Sequence, residues 1–290
     1  MPSNEFLSTE ILAHGAYLCA RRLGDGAAVR HAGAGVAALA ERLGLQNEFV
    51  AGTGGARESF AFLARRGGSP GDIRDDDVLQ ADWVVHVVST RGDVVREFCD
   101  EVSKALAPAA SVRVLGGVVQ PRNYTGAAMN NWAYARQVAQ QPGLVMPNAF
   151  LVPMSKTAEW WRKDWMERHT YFLPRYDDAG RMVSEGHALV TESGIAHLLR
   201  RTYRSVTQPA GPGAYDFLTY FECDDAHVAT FHEVCAALRD AKRNPEWRFV
   251  REGPTWHGRR AASWEALFDG AYPPFGVTGT QGSGQLGTFG

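Results

Sequence analysis

The sequence lacks the features that mark several broad protein classes. It has no apolar run of the ~18 residues a membrane-spanning helix needs. Lysine and arginine (30) do not outnumber aspartate and glutamate (32), and the basic residues are scattered. No footprint for nucleic acid or an anionic membrane is therefore expected. The four cysteines, Cys19, Cys99, Cys223 and Cys235, show no CxxC or Cys/His zinc spacing. Each sits among apolar neighbours, so buried free thiols and a reduced, cytoplasmic protein are expected. Met1-Pro-Ser-Asn-Glu5 has no basic segment leading into an apolar core, so no signal peptide is expected. No G-x-G-x-x-G follows a strand and opens a helix, and no G-x-S-x-G, H-E-x-x-H or Walker loop occurs. Carboxylates are plentiful, yet no pair stands out as an acid/base dyad.

What is present describes an ordinary globular chain: 290 residues, 45% hydrophobic and 21% charged, room for one large domain or two moderate ones. Strands are expected at Gly15–Leu23, Ala81–Ser89, Val112–Val119, Ala149–Val152, Leu199–Val206, Tyr215–Cys223 and Trp247–Glu252. Helices are expected at Ala28–Leu43, closed by Gly44, at Gly92–Ala107, from Thr157, around His187, and from Asp224/Asp225 to about Lys242. Ala51–Asp77 reads as a long loop with a possible helical turn at Glu58–Arg66, and Arg168–Gly180 as another loop. The chain thus divides into an N-terminal half (1–147), a C-terminal half (148–262) and a flexible tail (263–290).

The halves echo each other. Asp82-Trp-Val-Val-His-Val-Val, a helix with Phe98, a strand and Pro121 compare with Asp216-Phe-Leu-Thr-Tyr-Phe, a helix with Phe231, a strand and Pro254, each about 133 positions on. A duplicated ferredoxin-like α+β fold is expected, two antiparallel sheets with helices outside and room for a cofactor between sheet and helices.

Few segments carry chemistry. Pro153-Met-Ser-Lys156 precedes Glu159-Trp160-Trp161. Glu185-Gly-His187 places an imidazole on a short helix, and Arg200 follows on a strand. Together with Arg200-Arg-x-Tyr203-x-Ser205 and Asp216-Phe-x-Thr-Tyr-Phe-Glu222-x-Asp224-Asp225, this series resembles the chlorite dismutase family of haem proteins. The comparable family stretches read PxKKxxEWW, ExH, RKLYHS and DFITYFETDD. Asp82–Val119 and Arg122-Asn-Tyr124 are similar to the family's first half, and the resemblance spans roughly residues 15–258.

The resemblance implies a dimeric α+β barrel subunit in a homo-oligomer, usually a pentamer, with haem b in the second half. His187 would be the axial iron ligand and Arg200 the distal residue. His169 competes, but the interval from His187 to Arg200 equals the family's, and Arg168–Asp178 then reads as an insertion. Lys156, Trp160, Trp161 and Tyr124 would line the haem edge and propionates, with Thr202 and Phe221 on the distal wall. The implied reaction turns chlorite into chloride and dioxygen, Arg200 keeping hypochlorite at the iron until the O–O bond forms. The substrate class is a small anion or peroxide-like molecule. The position of the family's glutamate partner to the proximal histidine falls on Arg243, with Glu246 the nearby candidate. Alternatives are peroxidase-like or dehydratase-like haem chemistry, haem sensing, or a haem-free structural module. Coproheme decarboxylase fits less well, because Val152 stands where its tyrosine would be.

Overall fold

The computed structural model describes residues 11–51, 58–119, 146–205 and 214–269. The first half runs β1 (Ala13–Arg22), α1 (Gly26–Gly33), α2 (Val36–Arg42), β2 (Gln46–Asn47), α3 (Glu48–Ala51), β3 (Ser59–Ser69), α4 (Asp76–Leu79), β4 (Trp83–Ser89), α5 (Gly92–Leu106) and β5 (Ala110–Val119). The second runs β6 (Asn148–Lys156), α6 (Ala158–Arg162), α7 (Trp165–Thr170), β7 (Arg175–Tyr176), β8 (Met182–Ser184), α8 (Gly186–Val190), α9 (Glu192–Ile195), β9 (Leu199–Ser205), β10 (Phe217–Cys223), α10 (Val228–Arg239), β11 (Val250–Glu252) and β12 (Thr255–Ala261).

Eight strands close into a barrel in the order β10-β9-β5-β1-β4-β3-β12-β6, with β6 returning to β10. Every pairing around the ring is antiparallel. Within the first half the order is β3-β4-β1-β5 and within the second β9-β10-β6-β12, the same ferredoxin-like arrangement twice. The α+β expectation holds. The repeat holds for β4 with β10 and for α5 with α10, but the matching last strand is not where sequence spacing put it. Trp247–Glu252 is a 3-10 turn ending in the short β11, and the long closing strand is β12, after Pro254. β11 and β12 both pair with β6, so they are one strand interrupted at Gly253-Pro254.

Other differences have physical reasons. The expected loop at Ala51–Asp77 contains β3, an eleven-residue strand. Its residues Ser59–Ala64 are all buried, so both faces are apolar and no alternation shows. The single expected helix over Ala28–Leu43 is two, broken at Ala34-Gly35. Arg168–Gly180 begins in α7 and reaches the β7–β8 hairpin. Within the stretch expected to be a flexible tail, Trp264 and Leu267 are buried in the first half's core, and the Trp264 indole N–H donates to the Arg30 carbonyl (3.0 Å). All four cysteines are free and buried. Among the described residues, no helix is long and apolar enough to cross a membrane.

The barrel has two kinds of core. Alternate residues of the first half's strands face α1, α2 and α5, where Leu18, Phe60, Phe62, Trp83, Val85 and Val87 meet Val94, Phe98, Val102 and Leu106. The opposite faces point into the barrel, where Tyr17, Leu63, Val84, Tyr203, Tyr220 and Trp256 pack together. In the second half, the outward faces of β6 and β10 meet α8 and α10 through Phe150, Val152, Val190, Phe221, Phe231 and Leu238.

Candidate functional site

Between the outer faces of β6, β9 and β10 and the helices covering them lies a cavity of about 60 Å³. Its walls are mostly apolar, including Val152, Met154, Phe172, Phe217, Phe221, Leu238 and Val250, and its polar groups are Lys156, His187, Arg200, Thr202, Thr219, Glu246 and Glu252. Alternation supplies most of them. Arg200 and Thr202 share one face of β9; Phe217, Thr219 and Phe221 share one face of β10; and Thr219 sits opposite Thr202 in the register.

His187 comes from α8, whose first N–H groups lack partners within the helix. The preceding segment supplies them: His187 N–H donates to the Tyr171 carbonyl and Ala188 N–H to the Phe172 carbonyl, both at 3.1 Å. Gly186 adopts φ +70°, and a Cβ there would lie 2.4 Å from the Leu173 carbonyl oxygen, so a glycine is needed to start the helix here. Glu185 and Gly186 donate their N–H groups to the Arg243 carbonyl, and Arg243 grips the Glu185 carboxylate through two contacts of 2.6 and 2.9 Å. Arg243 is therefore a clamp on the start of α8.

The imidazole's partner is Glu246, on the 3-10 turn before β11. Its Oε2 accepts from His187 Nδ1 at 2.8 Å, and its Oε1 accepts from the Lys156 ammonium at the end of β6. Burial alone would raise the Glu246 carboxyl, but Lys156 and His187 outweigh it and hold the group ionised, well below the usual carboxylate range. Arg200 Nη1 donates to His187 Nε2 at 3.2 Å. An acceptor-only group on one ring nitrogen and a donor-only group on the other assign the same tautomer, Nδ1–H with the Nε2 lone pair facing the cavity.

Five of the sequence-predicted residues therefore meet on the cavity wall: Lys156, His187, Arg200, Thr202 and Phe221. Trp160 and Trp161 do not line it. Trp160 is turned into a cluster with Tyr171, Phe172 and Phe249, its ring 4.4 Å from the Lys156 ammonium. Trp161 stacks on Phe217 and donates its indole N–H to Asp216 (3.3 Å). The pair backs Lys156. His169 is not on the wall, and Tyr124 lies outside the described residues. Glu246 was visible in sequence only as a neighbour of Arg243. Its signal is the Pro245 that starts a turn and so redirects the side chain after α10.

The chemistry of this donor set fits a haem. A single imidazole with its other nitrogen tied to a carboxylate is a common axial ligand, apolar walls suit a porphyrin, and cations suit its propionates or an anionic substrate. The space fits it only after movement. The cavity is far smaller than the ~300–1,000 Å³ of a ligand pocket, and the Arg200 guanidinium covers Nε2. Loading therefore requires Arg200 to withdraw and the walls to part. Among the described residues, no group of three or more His, Cys, Asp or Glu could hold a bare metal ion.

No family model and no curated protein matches the sequence. Solved structures do match. A doubly substituted chlorite dismutase from Candidatus Nitrospira defluvii superposes with a TM-score of 0.62 at 21% identity, over 91% of this chain and 97% of that one. The same protein in complex with imidazole gives 0.62 at 20% identity, over 91% and 96%. A singly substituted form in complex with cyanide gives 0.62 at 21%, over 92% and 98%. Identity at this level speaks to architecture, and the closed barrel with its two ferredoxin-like halves has the chlorite dismutase fold.

Proposed function

We propose that this chain is a haem b-dependent oxidoreductase of chlorite dismutase type, with His187 as the iron ligand and Arg200 as the group that handles a small anion. The observation that carries the reading is His187 itself, fixed through Nδ1 to the buried, ionised Glu246 with Nε2 facing an apolar cavity. Bound haem supplies the redox-active iron at which oxygen is transferred or peroxide reduced.

The chain's own residues do the rest. Glu246 accepts the Nδ1 proton, which raises the electron donation of the imidazole, and Lys156 keeps that carboxylate charged. Arg200 is positively charged at any working pH, and its guanidinium is the right shape for an oxyanion. In the present arrangement it rests on His187 Nε2, so cofactor or anion takes over a hydrogen-bonding group already in place. The apolar walls exclude water and strengthen these electrostatic contacts. Val152 on the wall provides no phenol, which disfavours coproheme decarboxylation. Assembly into a homo-oligomer and a cytoplasmic setting complete the proposal.

Oxygen release from chlorite by haem-loaded protein tests it. The wild type is expected to evolve oxygen and Arg200→Ala to be slower by about 10²–10³-fold. A haem-loaded wild type that evolves no oxygen points instead to peroxidase-type chemistry at the same site.

A further inference from the structure

On the inner face of β9, directly behind the cavity wall, stands Tyr203. It is completely buried, and its hydroxyl lies 3.1 Å from His86 Nε2. The other nitrogen of His86, Nδ1, is 3.8 Å from Glu48 Oε1. Glu48 is held in turn by Arg201 (3.0 Å), Arg260 (2.7 Å) and the Ser59 hydroxyl (2.7 Å), and Arg260 also pairs with Glu222. A carboxylate facing Nδ1 favours the tautomer with hydrogen on that atom, which leaves Nε2 to accept the Tyr203 hydroxyl proton.

The geometry is held from several sides. The His86 ring is sandwiched between Tyr17 (4.6 Å, 16°) and Tyr220 (5.2 Å, 23°). Those two phenols meet the imidazole with their faces, whereas Tyr203 meets it with its hydroxyl. The Tyr203 ring occupies a notch at Gly15, where a Cβ would fall 2.3 Å from its Cε1. Burial pushes the Tyr203 phenol up to about 12, so it stays protonated. Burial pulls His86 down to about 3, so the imidazole stays neutral and open to a proton at ordinary pH. A structural role explains a hydrogen bond. It does not explain a phenol, a neutral imidazole and a neutralised carboxylate in series behind a cavity.

We propose that Tyr203 is a redox-active tyrosine that gives one electron across β9 to an oxidant in the cavity and its hydroxyl proton to His86 Nε2. Thr202, its chain neighbour, is on the cavity wall, so donor and oxidant are separated by one layer of sheet. In each event the Tyr203 O–H bond breaks, the electron leaves through β9, and the proton rests on His86 with Glu48 offsetting the charge. An oxidised phenol is a far stronger acid than even a depressed imidazolium, so the proton moves downhill. Hydrogen peroxide is the terminal oxidant: two electrons break its O–O bond and, with two protons taken up at the cavity, yield two waters. After each event an external phenol gives one electron through the protein, His86 returns its proton to the Tyr203 oxygen, and the proton the phenol releases balances the one taken up at the cavity, so two phenols become two phenoxyl radicals. The oxidant's origin rests on the haem reading above; the chemistry of the Tyr203–His86 pair does not.

The test has two arms, both on full-length protein carrying ¹⁵N-labelled histidine. In the first, haem-free protein is oxidised with hexachloroiridate(IV), frozen, and examined by electron paramagnetic and nuclear double resonance. A tyrosyl radical coupled to a histidine nitrogen is expected from the 3.1 Å contact between the Tyr203 hydroxyl and His86 Nε2. The coupled signal should vanish in Tyr203→Phe and in His86→Gln and persist in Tyr17→Phe and Tyr220→Phe, with folding verified by circular dichroism. Its absence from the wild type, or its survival in folded Tyr203→Phe, would overturn the proposal. In the second arm, haem-loaded protein receives hydrogen peroxide and should give the same coupled signal. A signal in the first arm and none in the second overturns the electron route to the cavity. Failure to take up haem overturns the functional reading and leaves the first arm's result for Tyr203 intact.

Discussion

The two halves of the barrel share one arrangement of strands and treat the helix-facing side of the sheet in opposite ways. In the first half, Leu18, Phe60, Phe62, Trp83, Val85 and Val87 meet the fifteen-residue α5 and the Trp264 indole in one continuous hydrocarbon cluster. In the second, the same side carries Lys156, Arg200, Thr202 and Thr219 beside Phe221, and a cavity remains. The connections explain much of this. The crossover from β6 to β9 is built from short helices, α8 with five residues and α9 with four, and α8 is held by the Tyr171, Phe172 and Arg243 carbonyls rather than by a long apolar stripe. A duplicated fold thus offers two equivalent places, one used to store stability and the other left with polar groups whose burial costs stability.

Cutting the tie between the halves should have the largest effect. Glu48, from the first half, holds Arg201 and Arg260 of the second. Glu48→Gln leaves the buried Arg260 and the half-buried Arg201 guanidinium groups short of their carboxylate and is expected to cost about 3–5 kcal/mol in urea unfolding. Burial raises the Glu48 carboxyl, but Arg201, Arg260 and His86 outweigh it and hold it well below the usual carboxylate range. Its contribution is therefore complete above the unfolded carboxylate value of about 4.3 and declines as pH falls below it, so the gap between variant and wild type should narrow on acidification.

One pair of truncations sets the halves directly against each other. Phe98, completely buried in the first half's cluster, should cost about 3–5 kcal/mol as Phe98→Ala. Phe221 borders the cavity and lacks neighbours on one side, so Phe221→Ala should cost roughly half as much by the same unfolding measurement. Equal costs would mean the second half is packed as tightly as the first. A smaller effect is expected from Lys156→Met, which keeps the side chain's length and removes the cation beside Glu246. Haem affinity, followed by titration, should fall about 10-fold, within the range for partners that orient a metal ligand.

Where sequence reasoning succeeded, a local pattern existed. The helical spacing of Val94, Val95, Phe98, Val102 and Leu106 gives α5, and the β-branched run Trp83–Ser89 gives β4. Where it failed, the deciding partner was remote or the pattern was erased. β3 is buried on both faces and shows no alternation. β12 follows a proline that suggested an end rather than an interruption. Nothing near Glu48 or Arg260 in the sequence marks them as buried, because the contact between them joins positions 212 residues apart. Glu246 reaches His187 only because the 3-10 turn at Pro245–Phe249 brings it back across α8.

Everything proposed for the cavity depends on His187 holding haem there. The most direct test is a haem titration of the purified protein, followed through the Soret band and the spin and coordination state, for the wild type, His187→Ala and His169→Ala. A saturable band with five-coordinate, histidine-ligated haem in the wild type and in His169→Ala, lost in His187→Ala, is the predicted result. Five-coordinate haem retained in His187→Ala, or no binding by the wild type, would refute ligation by His187.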